Sequence, residues 1–194
     1  DSHCHLQFPK YKDDLDAVIQ RASSAGVVMI CVGTDLETSK QGIKIAQNPP
    51  ADRENIWATV GLHPNDAFKE PFMISAYADI INSPKVVAIG EVGLDYYRTP
   101  EPEKQKRQKE VFEQFINLAQ KNKKPLVLHF RDSPKGSSGR VHKDALEILP
   151  KDFSQAVSHS FTGNIDEARG YVNRGIYLGF NGIITFPPSP KATD

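Results

Sequence analysis

The chain has 194 residues, enough for one domain with a sizeable core, and it carries 24 acidic and 24 basic residues. Because the net charge is zero, the protein as a whole offers no attractive field to a nucleic acid, which would have to be held by a local basic patch or by metal ions. The composition argues against a membrane protein, since no apolar run approaches the roughly 18 residues of a span.

Short apolar runs alternate along the chain with longer polar stretches of helical period. The predicted strands lie near residues 1–6, 27–33, 56–62, 86–92, 126–130, 156–161 and 176–180. The predicted helices lie near residues 13–24, 37–47, 72–82, 103–121, 143–149 and 165–174. Gly26 and Gly175 stand where left-handed helix caps are expected, and Pro125 separates a helix from the next strand. The Gly-, Ser- and Pro-rich runs 134–139 and 187–190 are predicted loops.

Strict alternation of strands and helices predicts an α/β fold with a parallel sheet, because parallel neighbours need a crossover connection. The seven predicted strands fall short of a closed (β/α)₈ barrel, which typically takes about 250 residues. We therefore expect residues 1–194 to form one domain that lacks its last βα unit and leaves two sheet edges unpaired. Residue 1 is Asp rather than Met, so we also expect a few residues upstream.

Residues that commonly bind metal ions stand in or at the ends of the predicted strands. His3 and His5 are two residues apart in a strand and so point to the same face, while Glu91, His129 and His159 end later strands. Barrel active sites lie at the carboxyl ends of the strands, where these side chains would meet. Imidazole mixed with carboxylate suits Zn²⁺, Mn²⁺ or Mg²⁺. The pattern predicts a metal-dependent hydrolase.

Glu91 has two carboxylate oxygens and could bridge two ions about 3.5–4 Å apart, the spacing used in phosphoryl transfer. We predict that His3, His5 and Glu91 hold one divalent ion. Glu91, His129 and His159 would hold the second. The open positions would accept an activated water and a substrate oxygen.

Five motifs carry a resemblance that spans essentially the whole chain. They are Asp1-Ser2-His3-Cys4-His5-Leu6, Gly61-Leu62-His63-Pro64, Gly90-Glu91-Val92-Gly93-Leu94-Asp95-Tyr96, His129-Phe130-Arg131-Asp132 and His159-Ser160-Phe161-Thr162-Gly163. Through these motifs and the later Gly179-Phe180-Asn181-Gly182, the sequence resembles the TatD family of metal-dependent deoxyribonucleases. The resemblance implies a TIM (β/α)₈ barrel of the amidohydrolase superfamily. It also implies hydrolysis of DNA phosphodiester bonds, with 3′→5′ exonuclease activity on a single strand or a strand end.

The chain departs from that family in two places. Members of the family carry a further metal-ligand Asp in a Glu-Thr-Asp motif at the end of strand 8, which would act as general base, and this sequence stops before such a strand. Members also often have His-Pro-His where this chain has His63-Pro64-Asn65.

Further residues near the predicted site have a functional and an ordinary interpretation. His63 ends a strand and could contact a substrate phosphate as a catalytic residue, or it could be a structural histidine. Arg131 could pair with a phosphate, or form an ion pair with Asp132 in the same loop. Asp95 could orient a histidine ligand.

Aromatic and histidine positions outside this set are less informative. Tyr96, with Tyr97, could stack on a substrate base, although aromatic residues at a rim more often pack against the protein. His142 is predicted to face solvent.

Two other functions compete with the nuclease. One is an amidohydrolase or lactonase acting on a small molecule, and the other is a barrel that binds without catalysis. The cysteines, Cys4 and Cys31, fall in predicted strands, which favours free thiols and a reducing compartment, the cytoplasm or, in a eukaryote, the nucleus. The sequence indicates a DNA substrate and no particular protein partner.

Overall fold

The computed structural model describes residues 1–47, 54–69, 72–133 and 140–186, so the predicted loops at 134–139 and 187–190 lie outside the described residues. These residues form a parallel sheet of six strands that lie side by side in chain order. The strands are β1 (Met29–Cys31), β2 (Ile56–Val60), β3 (Val86–Asp95), β4 (Leu126–Arg131), β5 (Ala156–His159) and β6 (Tyr177–Leu178). The predicted parallel α/β architecture is confirmed.

Helices connect successive strands. They are α1 (Leu15–Ser24), α2 (Leu36–Gln47), α3 (Ile74–Ala78), α4 (Pro102–Asn122), α5 (Arg140–Ile148) and α6 (Ile165–Val172). Short 3-10 helices occupy Pro9–Tyr11, Pro64–Asp66 and Gly182–Thr185. The predicted helix 72–82 is too long, since α3 covers five residues, and the predicted strand 176–180 is reduced to the two residues of β6.

The predicted N-terminal strand is also wrong in extent. Among residues 1–6 the ladder consists of one isolated parallel bridge between Cys4 and Cys31, at the free side of β1. The amide of Cys4 donates to the carbonyl of Ile30 at 3.0 Å, and the amide of Val32 donates to the carbonyl of Cys4 at 2.8 Å. The chain turns immediately afterwards into the 3-10 helix that begins at Pro9, which limits the strand.

The helix ends follow the expected capping chemistry. Gly26 has φ of 70° and Gly175 has φ of 76°, so both adopt the left-handed conformation that was predicted. The same conformation ends α4 at Lys123, with φ of 52°, two residues before Pro125.

Strand register brings the carboxyl ends of β3, β4 and β5 together. Gly93 is paired with His129, and His129 is paired in turn with His159. The carboxyl ends of parallel strands lie at the same edge of a sheet. Side chains at the ends of β3, β4 and β5 therefore lie close together at that edge. The hydrophobic core lies between the sheet and the helices that pack against it. Leu128, Ile89 and Phe115 are fully buried there.

Candidate metal centre

Glu91 is the centre of the candidate site. It lies inside β3, with 4% of its surface exposed, and its amide donates to the carbonyl of Gly33 at 2.8 Å. A buried carboxylate is costly unless it is paired with charge or hydrogen-bond donors. Its surroundings must therefore supply them.

Histidines from three separate parts of the chain surround this carboxylate. Oε1 of Glu91 lies 2.7 Å from Nδ1 of His129 and 3.8 Å from Nε2 of His159. Oε2 lies 3.3 Å from Nε2 of His3. The two carboxylate oxygens thus face different histidines, and the bridging role of Glu91 stays a prediction.

The two N-terminal histidines stand beside this group. The rings of His3 and His159 stack at 3.6 Å between centroids, and the rings of His3 and His5 are 5.0 Å apart. Nδ1 of His5 lies 2.9 Å from the carbonyl oxygen of Val32, so this nitrogen carries the proton. That tautomer leaves the Nε2 lone pair of His5 available to a metal ion.

Burial and neighbouring groups shift the pKa values of three side chains in the site. Burial of Glu91 raises its pKa, but the hydrogen bonds with His129 and His3 outweigh burial and hold this pKa well below its usual range. Burial lowers the pKa of His129, but Asp95 and Glu91 outweigh burial and raise it to about 9. Burial and the neighbouring His3 lower the pKa of His159 to about 4.

A second cluster of ligand-type groups lies beside the first and consists of His63, Asp95 and His129. The rings of His63 and His129 are 4.4 Å apart, and Nε2 of His129 lies 3.4 Å from Oδ2 of Asp95. The structure therefore groups the ligand-type side chains as His3, Glu91 and His159 on one side and His63, Asp95 and His129 on the other, whereas the sequence prediction paired His159 with His129. His129 connects the two groups, since it contacts both Glu91 and Asp95.

His63 stands behind His129. The amide of Asn65 donates to Nδ1 of His63 at 3.2 Å, so a neutral ring carries its proton on Nε2. Burial and the neighbouring His129 lower the pKa of His63 to about 4, which keeps the ring neutral near pH 7. The contact predicted between His63 and a substrate phosphate stays a prediction.

The donor set fits divalent metal ions. Nδ1 of His3 is buried and has no hydrogen-bond partner among the described residues. Buried polar atoms are normally satisfied, so an unpartnered one in a cluster of imidazoles and a carboxylate points to a missing ligand. Mixed nitrogen and oxygen donors suit Zn²⁺ or Mn²⁺, and Mg²⁺ when carboxylate and water dominate.

A cavity of about 510 Å³ opens onto these side chains. Arg131 lies at its wall, with its guanidinium carbon 4.0 Å from the ring centroid of Tyr97. The structure thus shows Arg131 stacked on an aromatic ring and facing the cavity. The lining residues are His3, His5, Glu91, His129, Phe130, Arg131, His159, Ser160, Thr162, Asn181 and Ile183.

Two side chains lie elsewhere than the sequence suggested. Tyr96, predicted to stack on a base, is 1% exposed, and its hydroxyl donates to Oδ2 of Asp144 at 2.6 Å, so its ring offers no free face. His142, predicted to face solvent, is buried, and its Nδ1 lies 3.0 Å from the hydroxyl of Tyr171. His142 lies on α5 beside Val141 and one turn before Ala145, which places it within the apolar face of that helix.

Sequence reasoning missed Asn181 and Ser160 as members of the site. Nδ2 of Asn181 donates to Oγ of Ser160, which in turn lies 3.4 Å from Nδ1 of His159. The motif that contains Asn181 was visible in the sequence, but its side-chain contacts depend on the register of β5 and β6.

Comparison with known protein families identifies the family to which the chain belongs. A model of the family described as TatD related DNase matches residues 1–194. The chain belongs to the TatD family. The predicted resemblance is confirmed, and so is the hydrolase class, since TatD relatives are named metal-dependent hydrolases.

Two TatD relatives illustrate the similarity. The uncharacterized metal-dependent hydrolase YabD of Bacillus subtilis is 34% identical over 196 residues, which cover 98% of this chain and 71% of YabD. The 3′-5′ ssDNA/RNA exonuclease TatD of Salmonella typhimurium is 34% identical over 184 residues, which cover 92% of this chain and 64% of that protein. The chain spans about two thirds of the length of these relatives.

Solved structures of TatD proteins share the fold. The TatD homologue YJJV of Escherichia coli superposes with a TM-score of 0.77 at 29% identity, covering 99% of this chain and 71% of YJJV. A TatD family hydrolase of Entamoeba histolytica gives 0.75 at 26% identity, covering 93% of this chain and 64% of that protein. The parallel sheet therefore has the TIM-barrel-like fold of the TatD family, as predicted. In the described part of the chain, no helix is long and apolar enough to cross a membrane.

Proposed function

We propose that this TatD protein is a metal-dependent deoxyribonuclease that hydrolyses phosphodiester bonds, releasing nucleotides from the 3′ end of single-stranded DNA. The observation that carries the proposal is the buried carboxylate of Glu91, whose two oxygens face different histidines in an open cavity. The name of the Salmonella relative supports single-stranded nucleic acid as the substrate class.

We assign one divalent ion to His3, His5 and Glu91, and a second to Glu91, His129 and His159. Bound there, divalent ions would polarise a phosphoryl oxygen and lower the pKa of an attacking water. The accessible Nε2 of His5 and the unpartnered Nδ1 of His3 support this assignment. Which of Mg²⁺, Mn²⁺ or Zn²⁺ is bound would depend on supply as well as on ligand type.

The protein side chains would bind and orient the substrate. Neutral His63 holds a proton on Nε2 and would donate it in a hydrogen bond to a phosphate or leaving-group oxygen. Arg131, at the cavity wall, would pair with a phosphate. Asp95 would hold the ring of His129 in place.

We further propose that residues 1–194 act as one hydrolase domain and work in the cytoplasm. One hydrophobic cluster contains buried residues from the first five strands, which supports a single domain. The two free cysteines support a reducing compartment.

A substrate panel tests this function. The purified protein, supplied with Mg²⁺, Mn²⁺ or Zn²⁺, would be assayed on 3′-labelled and 5′-labelled single-stranded DNA, on RNA, and on a set of amides and lactones. We expect metal-stimulated release of mononucleotides from the 3′ end of DNA. Turnover of an amide or lactone without any cleavage of nucleic acid would replace the proposal by the small-molecule hydrolase.

Glu91→Gln is the matched loss-of-function variant. The amide keeps the size of the side chain but removes the charge, so we expect the activity to fall by at least about a thousandfold while circular dichroism is unchanged. Metal content should fall in parallel. Glu113→Gln, an exposed position on α4, is the control and should behave as the wild type. Unchanged metal content and turnover in Glu91→Gln would remove Glu91 from the centre of this account.

A further inference from the structure

The amide of Gln108 is buried within the charged helix α4 and joins separate parts of the molecule. Gln108 is 0% exposed. Its Oε1 accepts a hydrogen bond from the amide of Asp95 at 3.0 Å. Its Nε2 donates to the carbonyl of Pro64 at 3.1 Å and to Oγ1 of Thr99 at 3.0 Å.

Each of these contacts lies next to a residue of the candidate site. Pro64 follows His63, and Asp95 ends β3 four residues after Glu91. The carboxylate of Asp95 is itself held on both oxygens, because Nδ2 of Asn65 donates to Oδ2 at 3.2 Å and the amide of Arg98 donates to Oδ1 at 2.9 Å. Gln108 thus holds two stretches of backbone that position this carboxylate. One is Asp95 itself, and the other is Pro64, which precedes the donor Asn65.

The carboxylate of Asp95 faces His129. Nε2 of His129 lies 3.4 Å from Oδ2 of Asp95, whereas Nδ1 of the same ring points to Glu91 at 2.7 Å. A metal-binding histidine is normally oriented by a carboxylate on its other ring nitrogen, and loss of that partner weakens metal binding. The position of Asp95 therefore decides which nitrogen of His129 faces the predicted metal ions.

We propose that Gln108 is a positioning residue for the metal centre: it fixes Asp95, and through Asp95 it holds His129 with Nδ1 toward Glu91. This inference rests on the proposed metal-dependent function. It extends the site to helix α4, none of whose residues is among those that line the cavity.

Only an amide satisfies this position. The Gln108 side chain accepts from one backbone amide and donates to a backbone carbonyl and a hydroxyl. A glutamate would turn a second carboxylate oxygen toward the carbonyl of Pro64. A methionine of similar length would leave the buried amide of Asp95 without its acceptor, which costs about 1–3 kcal/mol for such a group.

Gln108→Met tests the inference, with Gln105→Met as its matched control. Gln105 is also buried on α4 and also contacts Thr99, since its Nε2 donates to the Thr99 carbonyl at 2.9 Å, but unlike Gln108 its side chain has no hydrogen bond to Asp95 or Pro64 among the described residues. Calorimetric titration with Mn²⁺ and the visible absorption spectrum of bound Co²⁺ would report metal binding without any assay of turnover.

In Gln108→Met we expect the metal ion held by His3, His5 and Glu91 to bind normally. The equivalent that depends on His129 should bind about ten- to one-hundredfold more weakly, with an altered Co²⁺ spectrum. On DNA, kcat should fall with KM within about twofold of the wild type, since the change acts on the metal rather than on substrate binding. Gln105→Met should bind both equivalents normally.

Wild-type affinity for both equivalents in Gln108→Met, or equal weakening in Gln105→Met, would overturn the inference. A wild-type protein that binds one equivalent alone would overturn it as well. If Gln108→Met does not fold, Asn65→Ala serves instead, because it removes a half-buried hydrogen-bond donor to Asp95. This variant should weaken binding of the same metal equivalent. Normal metal binding in Asn65→Ala would overturn the role of Asp95 as the orienting group. Normal two-metal binding without nuclease activity would reject the proposed function alone.

Discussion

The side chain of Arg131 places a guanidinium group on the wall of the cavity. Because it is stacked on Tyr97 and not buried, we expect it to bind phosphate in the ground state. Arg131→Ala should raise KM for single-stranded DNA by roughly ten- to a hundredfold, the value of a charge-assisted hydrogen bond of about 1.5–3 kcal/mol, and change kcat little. Steady-state kinetics on a labelled oligonucleotide would measure this.

His159→Ala provides the contrast, since it should chiefly lower kcat through the metal centre. An ester without a phosphate group provides the second control. If Arg131→Ala raises KM equally for that ester and for DNA, Arg131 does not recognise phosphate.

Among individual residues, the sequence predicted the convergence of the candidate ligands better than the surroundings of their neighbours, and their role as metal ligands stays a prediction. His3, His5, Glu91, His129 and His159 all line one cavity, because strand ends in a parallel sheet converge whatever the details of packing. Tyr96 and Gln108 could not be assigned in this way. Which of two adjacent tyrosines faces inward depends on the exact end of β3, and a glutamine in a charged helix carries no signal of the contacts it makes across the fold.

At the element scale, the close approach of β3 and β4 depends on Gly93. This residue has φ of 146°, and a Cβ atom there would lie 2.1 Å from the carbonyl oxygen of His129. We expect Gly93→Ala to lower the free energy of unfolding by about 2–4 kcal/mol, through backbone strain and displacement of β4. Urea denaturation would measure it. Gly182→Ala, where a Cβ meets nothing within 4 Å, should change it by less than about 0.5 kcal/mol. Equal stability of both variants would contradict the packing argument.

Asp144 joins α5 to α4 and to the end of β3. Its Oδ2 lies 2.7 Å from Nζ of Lys109 and accepts from the hydroxyl of Tyr96 at 2.6 Å. Burial raises the pKa of Asp144, but Lys109 and Tyr96 outweigh burial and lower it. The stabilisation is therefore fully present above the unfolded-state pKa of about 3.9 and is lost as the pH falls through the folded-state value.

Asp144→Asn tests this linkage. Near pH 7 we expect the variant to be less stable than the wild type by about 1.5–3 kcal/mol, the value of a hydrogen bond to a charged group. Urea denaturation over a pH series should show the difference shrinking as the pH falls below about 4. A difference that grows toward acid pH would contradict the assigned direction.

The order of the elements could be predicted because hydrophobic period and helix caps are local properties. Their lengths could not. The N-terminal strand is reduced to the bridge between Cys4 and Cys31, and β6 to two residues, because strand length depends on how far a neighbour continues to pair. Elements at the two sides of the sheet have one described neighbour each, so they are the ones that the sequence overestimated.

At the scale of the whole molecule, the described sheet leaves β6 paired on one side, with apolar residues beside it. Tyr177 is 78% exposed and Phe180 is 61% exposed. Unpaired strands with apolar neighbours favour association. We expect the sedimentation coefficient of the 194-residue chain to rise with concentration and Tyr177→Asp to suppress the rise. Met73→Asp changes an equally apolar residue, 60% exposed, away from this edge, and should have no effect. A monomer at all concentrations would contradict this prediction.

The first six residues are joined to β1 and its flanking residues by backbone hydrogen bonds at Asp1 and Cys4 and by the contact of His5 Nδ1 with the carbonyl of Val32, and they carry two of the predicted metal ligands. These contacts all reach residues 28–32, and a bound ion would in addition join this end of the chain to β3 across the site. By mass action, such an ion would stabilise residues 1–6 in their position against the sheet, by an amount that grows with the logarithm of the free ion concentration. A chelator would then act first on the N-terminus, and the hydrogen-exchange rate of the Cys4 amide would serve as a gauge of metal occupancy in solution.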